Sequence, residues 1–314
     1  MKRTKYPIHP DFKAWTNLNP PLNRVMLPVM QKLMGPLFDR EKSADDMTAE
    51  RKTISVGDGV SIRALWYCPK DLDGPSPCLV DYHGGGFVLP ASPHHYSLAR
   101  EYARRARCRV LFVEYRLAPK YPFPAATEDC FAAYRWVLDH AGELGVCPDR
   151  VAVAGDSAGG ELAAVVCLMA KEQRRPMPCG QMLVYPVTGA GNETQSMKKY
   201  TDTPMCNSRD IEKYGRYYTP DPAAAGSVYA APVKAESLAG LPAAYIETAE
   251  FDCLRDDGIL YAKRLQQFGV PVELINTEGT MHGFDIVLNS PIVRACVDQR
   301  VAFLNRVFSA PALS

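Results

Sequence analysis

The sequence predicts an α/β fold in which a mostly parallel central sheet is covered by helices on both faces. Two observations lead to it. Short apolar runs at residues 78–82, 110–114, 151–154, 182–185, 243–248 and 272–275 are separated by segments long enough to be helices. Continuous apolar runs of this kind belong to strands buried on both faces, and the strand–helix alternation belongs to a doubly covered sheet. The chain has 314 residues, 47% of them hydrophobic, which is ample for one large core without a second, unrelated domain.

Residues 1–48 do not follow the β/α rhythm and are expected to form an N-terminal cap segment, with residues 49–314 as the main domain. The apolar stretch at 22–38 is broken by Arg24, Pro28, Lys32 and Pro36, so it is too short to span a bilayer and reads as a covering helix or pair of helical turns. Residues 52–67 predict two short strands joined at Gly57-Asp58-Gly59, because Asp-Gly between alternating residues is a hairpin signal. A helix is expected over 158–171, rich in Ala, Leu and Val. Another is expected over 257–268, with Asp256 as its N-cap and Gly269 as its stop, and a last one over about 292–308. Residues 188–228, which carry Tyr200, Tyr214, Tyr217 and Tyr218, also break the rhythm. They are expected to be a helical cap insertion over the sheet's C-terminal edge.

Composition narrows the function. With 36 basic and 35 acidic residues the formal charge is +1, which provides no broad attraction to nucleic acid or an anionic membrane and favours a small, neutral or weakly polar substrate. The ten cysteines form no C-x-x-C pair and no Cys/His cluster at zinc spacing, so neither a metal nor a redox cofactor is expected. Free thiols and a basic start followed by Pro7, His9, Pro10 and Asp11 instead of an apolar run are read as a cytoplasmic protein without a secretion signal.

The chemistry gathers at Gly155-Asp156-Ser157-Ala158-Gly159-Gly160, between an apolar strand and an apolar helix. This is the context of a nucleophile elbow, where glycines leave room for a tight turn around a strained serine. The helix N-terminus that follows brings amides and a positive dipole end to a developing oxyanion, with Ala158 as one donor. By itself a G-x-S-x-G pattern is often an ordinary turn. Upstream, however, His83-Gly84-Gly85-Gly86-Phe87 follows a strand, as an oxyanion loop must, and Gly85 and Gly86 are the expected donors. No phosphate-binding pattern accompanies these glycines.

A serine hydroxyl needs a histidine base held by a carboxylate. Of six histidines, His282 in Met281-His282-Gly283-Phe284 follows the last predicted strand, whereas His9, His83, His94, His95 and His140 fall in other contexts. The order Ser, acid, His, each after a strand, favours His282 over a merely solvated loop histidine. The acid lies among Glu250, Asp252, Asp256 and Asp257. Asp256 and Asp257 are explained by the helix they begin, which leaves Asp252 first and Glu250 as the runner-up.

These stretches resemble the hormone-sensitive-lipase family of α/β-hydrolases, the bacterial HGGG carboxylesterases, together with Tyr115-Arg116-Leu117-Ala118-Pro119, Pro122-Phe123-Pro124-Ala125-Ala126, Asp252-Cys253-Leu254-Arg255-Asp256 and His282-Gly283-Phe284. The resemblance covers the chain from about residue 78 onward. It implies the α/β-hydrolase fold, cofactor-free hydrolysis of short-acyl esters, a triad of Ser157, Asp252 and His282, and an N-terminal cap shaping the acyl pocket. It further implies a supporting role for Arg116 and Glu128, and it leaves the oligomeric state open with a homodimer as the assembly relatives often form. Glu161 departs from the family, which commonly has asparagine there. Two other classes stay open on the same residues: an amidase or deacetylase of small N-acyl compounds, and a non-catalytic ligand receptor, against which the complete triad argues. A lipase acting at an oil interface is disfavoured by the lack of a long apolar lid.

Overall fold

A computed structural model describes residues 5–17, 23, 25–189 and 191–310. The basic start at 1–4 and positions 22 and 24 of the apolar stretch lie outside the described residues. Eight strands form one sheet: β1 (Met47–Gly57), β2 (Val60–Pro69), β3 (Ser76–Tyr82), β4 (Arg109–Glu114), β5 (Val146–Asp156), β6 (Gln181–Val184), β7 (Ala244–Phe251) and β8 (Val272–Met281). Their order is β1-β2-β4-β3-β5-β6-β7-β8. The β1–β2 hairpin turns at the Asp-Gly site, and β2 runs antiparallel to both neighbours. Every pairing from β4 to β8 is parallel. The strands therefore deliver their C-terminal ends to one edge.

The helices are α1 (Met26–Met34), α2 (Pro36–Arg40), α3 (Pro93–Arg105), α4 (Ala125–Asp139), α5 (Ala141–Leu144), α6 (Ala158–Glu172), α7 (Gln195–Lys199), α8 (Ser208–Tyr218), α9 (Arg255–Gln267) and α10 (Pro291–Ser309). Side chains alternate along the central strands and divide the core into two layers. Leu79, Phe112, Ala152 and Met182 meet α3 and α10 on one face. Val80, Val113, Val153 and Leu183 meet α4, α6 and α9 on the other. Both layers are buried at their centres, as expected for strands that read as unbroken apolar runs. No helix among the described residues is long and apolar enough to cross a membrane.

Two local readings change. Helix α9 starts at Arg255 with Leu254 at its N-cap, so Asp256 is not the cap. The Asp256 carboxylate lies in the first turn, where it accepts from the Ser196 amide (2.8 Å) and from Arg255 (3.0 Å), tying α7 to α9. Arg116 pairs with buried Asp129 through short hydrogen bonds (2.7–3.0 Å), whereas Glu128 is more exposed and 3.8 Å away. Asp129 also accepts from the Arg116 amide, so it fixes the backbone after β4 and not only the guanidinium.

One ion cluster crosses the core behind the sheet's C-terminal edge. Arg300 of α10, fully buried, donates to Glu247 of β7 (2.7 and 3.1 Å), to Asp285 (3.1 Å) and to the Tyr102 hydroxyl (3.0 Å). Replacing Arg300 with Met would leave two carboxylates buried without their cation. Its expected cost is about 3–5 kcal/mol, read as a lowered urea midpoint.

Candidate active site

The C-terminal edge carries a hydrogen-bonded chain of three side chains. Strand β5 ends at Asp156 and α6 begins at Ala158, with Ser157 between them at φ 54°, ψ −116°. A non-glycine residue in that region is strained, and here neighbouring strands hold it. The Ser157 amide donates to the Val184 carbonyl (2.8 Å), and its carbonyl accepts from Val187 (3.1 Å). The turn also requires glycine at 159, because a Cβ there would collide with the Tyr82 carbonyl of β3. This close approach of helix to strand lets the serine stand at the edge instead of being swallowed by the core.

Asp252 follows β7 and His282 follows β8, which runs to Met281 and so delivers the imidazole directly from the sheet. His282 Nε2 lies 2.8 Å from Ser157 Oγ, and His282 Nδ1 lies 2.8 Å from Asp252 Oδ2. The network assigns the proton to Nδ1, donated to the carboxylate, and leaves Nε2 to accept from the hydroxyl. Asp252 is fully buried, and its other oxygen accepts from the Leu254 amide (2.9 Å), which fixes the carboxylate's orientation. Burial by itself would lower the His282 pKa. The charge and hydrogen bond of Asp252, together with Cys206 and Asp156, outweigh burial and push it up to about 9. Glu250 is turned elsewhere, accepting from the Gly279 amide at 2.7 Å, and braces β7 against β8.

The glycine loop after β3 faces the same space. Gly85 (φ 122°) and Gly86 line a cavity of about 810 Å³ together with Ser157 and His282. A Cβ at Gly85 would meet the Leu89 carbonyl, whose own amide closes the loop on Gly85. Ala158 sits fully buried directly behind Ser157, at the first position of α6. Among the described residues, the amides of Gly85, Gly86 and Ala158 have no protein acceptor. They are free donors on the two segments that flank the serine.

Sequence reading missed the brace of this loop. Asp156 accepts from the Gly84 amide (2.8 Å) and lies 3.3 Å from His95 of α3. Burial would raise the Asp156 carboxyl, but His95 and the Gly84 amide hold it below the usual carboxylate range. One side chain thus joins the elbow to the glycine loop. His83 is buried against Tyr115, with ring centroids 4.4 Å apart, and donates from Nδ1 to the Gly84 carbonyl at 2.7 Å. Burial, then nearby His95, push its pKa down to about 4, so it is a neutral support. The polar residue inside the elbow was the available signal. Its partner, 61 positions away, was not marked by any pattern.

The aromatic residues of 188–228 divide. Tyr200 is buried against Tyr6 and Phe251, whereas Tyr214 and Tyr218 line the cavity, with Tyr218 stacked on Phe87 (centroids 3.6 Å). The last helical residue of α1, Met34, reaches the cavity from the N-terminal segment.

Residues 79–286 match a family described as alpha/beta hydrolase fold. The chain is 40% identical over 235 residues to Esterase LipI of Mycobacterium tuberculosis, covering 72% of this chain and 71% of that protein. It is 37% identical over 270 residues to Carboxylesterase NlhH of the same organism, covering 84% of each. A crystal structure of a thermostable esterase from Pseudomonas putida superposes with a TM-score of 0.85 at 33% identity, covering 94% of both chains. The chain belongs to the α/β-hydrolase fold family, among the carboxylesterases related to hormone-sensitive lipase.

Proposed function

We propose that the protein is a serine carboxylesterase that hydrolyses small esters of short acyl chains through an acyl-enzyme. The observation that carries this reading is the unbroken chain Ser157 Oγ, His282, Asp252, with 2.8 Å at each link, opening into the cavity. Ser157 Oγ attacks the ester carbonyl while His282 Nε2 takes its proton, and Asp252 stabilises the imidazolium that forms. The amides of Gly85, Gly86 and Ala158 receive the oxyanion. Collapse of the tetrahedral intermediate breaks the bond to the alcohol, which leaves with the proton from His282. Water then gives its proton to His282 and attacks the acyl-serine, releasing the acid and restoring the hydroxyl.

Residues 1–48 and 188–228 serve in this reading as a cap, since Met34, Tyr214 and Tyr218 wall the cavity from outside the β/α units. A space of about 810 Å³ is large enough to hold the acyl and alcohol parts of a small-molecule ester together, and the short-acyl preference rests on the family resemblance. Across 4-nitrophenyl esters from acetate to decanoate, kcat/KM is expected to fall sharply beyond medium chains. A maximum at decanoate would overturn the short-acyl assignment, and no hydrolysis of any member would overturn the esterase reading.

A further inference from the structure

Glu161 lies in the first turn of α6, four residues after Ser157. It lines the cavity with the serine, is 1% exposed, and its Oε1 is buried without a hydrogen-bond partner. Buried carboxyl oxygens are almost always satisfied, because an unmet one loses its hydration with nothing in return. The nearby Tyr218 hydroxyl does not serve it, being 3.1 Å from the Thr127 hydroxyl.

The surroundings specify what would satisfy it. The charged group acting on Glu161 is another buried acid, Asp257, and no basic side chain contributes to its electrostatics. The arginine and lysine of the cavity, Arg216 and Lys234, are exposed to solvent. Phe87 and Tyr218, stacked on each other, line the same space. A buried carboxyl oxygen without a partner, on which another acid acts and no basic side chain does, is complementary to a positively charged group.

We propose that Glu161 is a specificity-determining residue that pairs with a protonated amine of the substrate, making esters that carry a basic nitrogen the preferred substrates; this rests on the esterase reading above. Burial, then Asp257, push the Glu161 carboxyl well above its usual range, which favours the protonated form when no cation is beside it. That state puts no negative charge near the forming oxyanion. An ammonium beside it favours the ionised form, whose proton is released to solvent.

The test compares kcat and KM for carbon isosteres at neutral pH. One pair is 2-(dimethylamino)ethyl acetate against 3-methylbutyl acetate, with the amine in the alcohol. The other is 4-nitrophenyl 4-(dimethylamino)butanoate against 4-nitrophenyl 5-methylhexanoate, with the amine in the acyl group. In at least one pair the amine is expected to be favoured about tenfold or more, mainly through KM, a size typical of a desolvated charge pair. The preference is expected to disappear in Glu161→Gln and in Glu161→Asn, the second variant guarding against misfolding of the first. Hydrolysis of all four esters without amine preference in the wild type would sink the inference alone. So would a preference that survives in a folded variant, or an equal gain for 3-hydroxypropyl acetate, which carries a neutral donor. No hydrolysis of any ester would instead sink the esterase reading.

Discussion

Ser157→Ala is expected to lower kcat on 4-nitrophenyl acetate by roughly 10⁶-fold, the loss seen when the nucleophile of a cooperating triad is removed. The loss is large because no other hydroxyl is placed against His282 Nε2, and the free amides beside Ser157 have no oxyanion to stabilise until a nucleophile adds. The fold is expected to survive. The bonds that hold the elbow, from the Ser157 amide to Val184 and from Val187 to the Ser157 carbonyl, are backbone bonds that alanine keeps. The substitution removes one buried oxygen and leaves no methylene-sized void. Steady-state rates together with circular dichroism check both parts; a folded variant at wild-type rate would refute the assignment.

Asp252→Asn is expected to lower kcat by about 10⁴-fold through a single proton. Asp252 Oδ1 accepts from the Leu254 amide, so the asparagine must keep its carbonyl there and turn its NH2 toward His282. That NH2 donates to Nδ1 and moves the imidazole proton to Nε2, where it faces Ser157 Oγ and blocks proton abstraction. The pH dependence moves with it. His282 must be neutral to act as base, so the acid limb of kcat/KM follows its pKa in the free enzyme. Burial lowers that pKa and Asp252 raises it to a net value of about 9, so loss of the charge leaves burial dominant and shifts the limb to lower pH. A limb that stays in place, with a rate within tenfold of wild type, would show that another group holds the histidine.

Ser157, Asp252 and the glycine loop were legible in the sequence because each follows a strand recognisable as an apolar run, whereas for His282 the run covers only the start of β8, at 272–275. In a parallel sheet those ends converge on one edge. The chain order of the three residues did the rest. What stayed hidden depends on contacts between distant segments. Asp256 has the residue type of an N-cap, yet α7 supplies a Ser196 amide that recruits it into the first turn instead. Glu128 and Asp129 are adjacent acids on α4, and only the facing of the helix decides which one meets Arg116. No pattern in the sequence marks Arg300 as the residue of α10 that Glu247 and Asp285 surround in the core. The aromatic residues of 188–228 divide for the same reason, since Tyr200 packs inward while Tyr218 faces the cavity from the same segment.

Diethyl 4-nitrophenyl phosphate transfers its phosphoryl group to an activated serine and releases nitrophenolate, so peptide mass mapping after inactivation tests directly whether Ser157 is the nucleophile. The expected result is one diethylphosphoryl group per chain, on the peptide containing Ser157, appearing in step with loss of esterase activity. Complete inactivation with Ser157 unmodified, or complete labelling of Ser157 with activity retained, would contradict an acyl-enzyme formed at this residue.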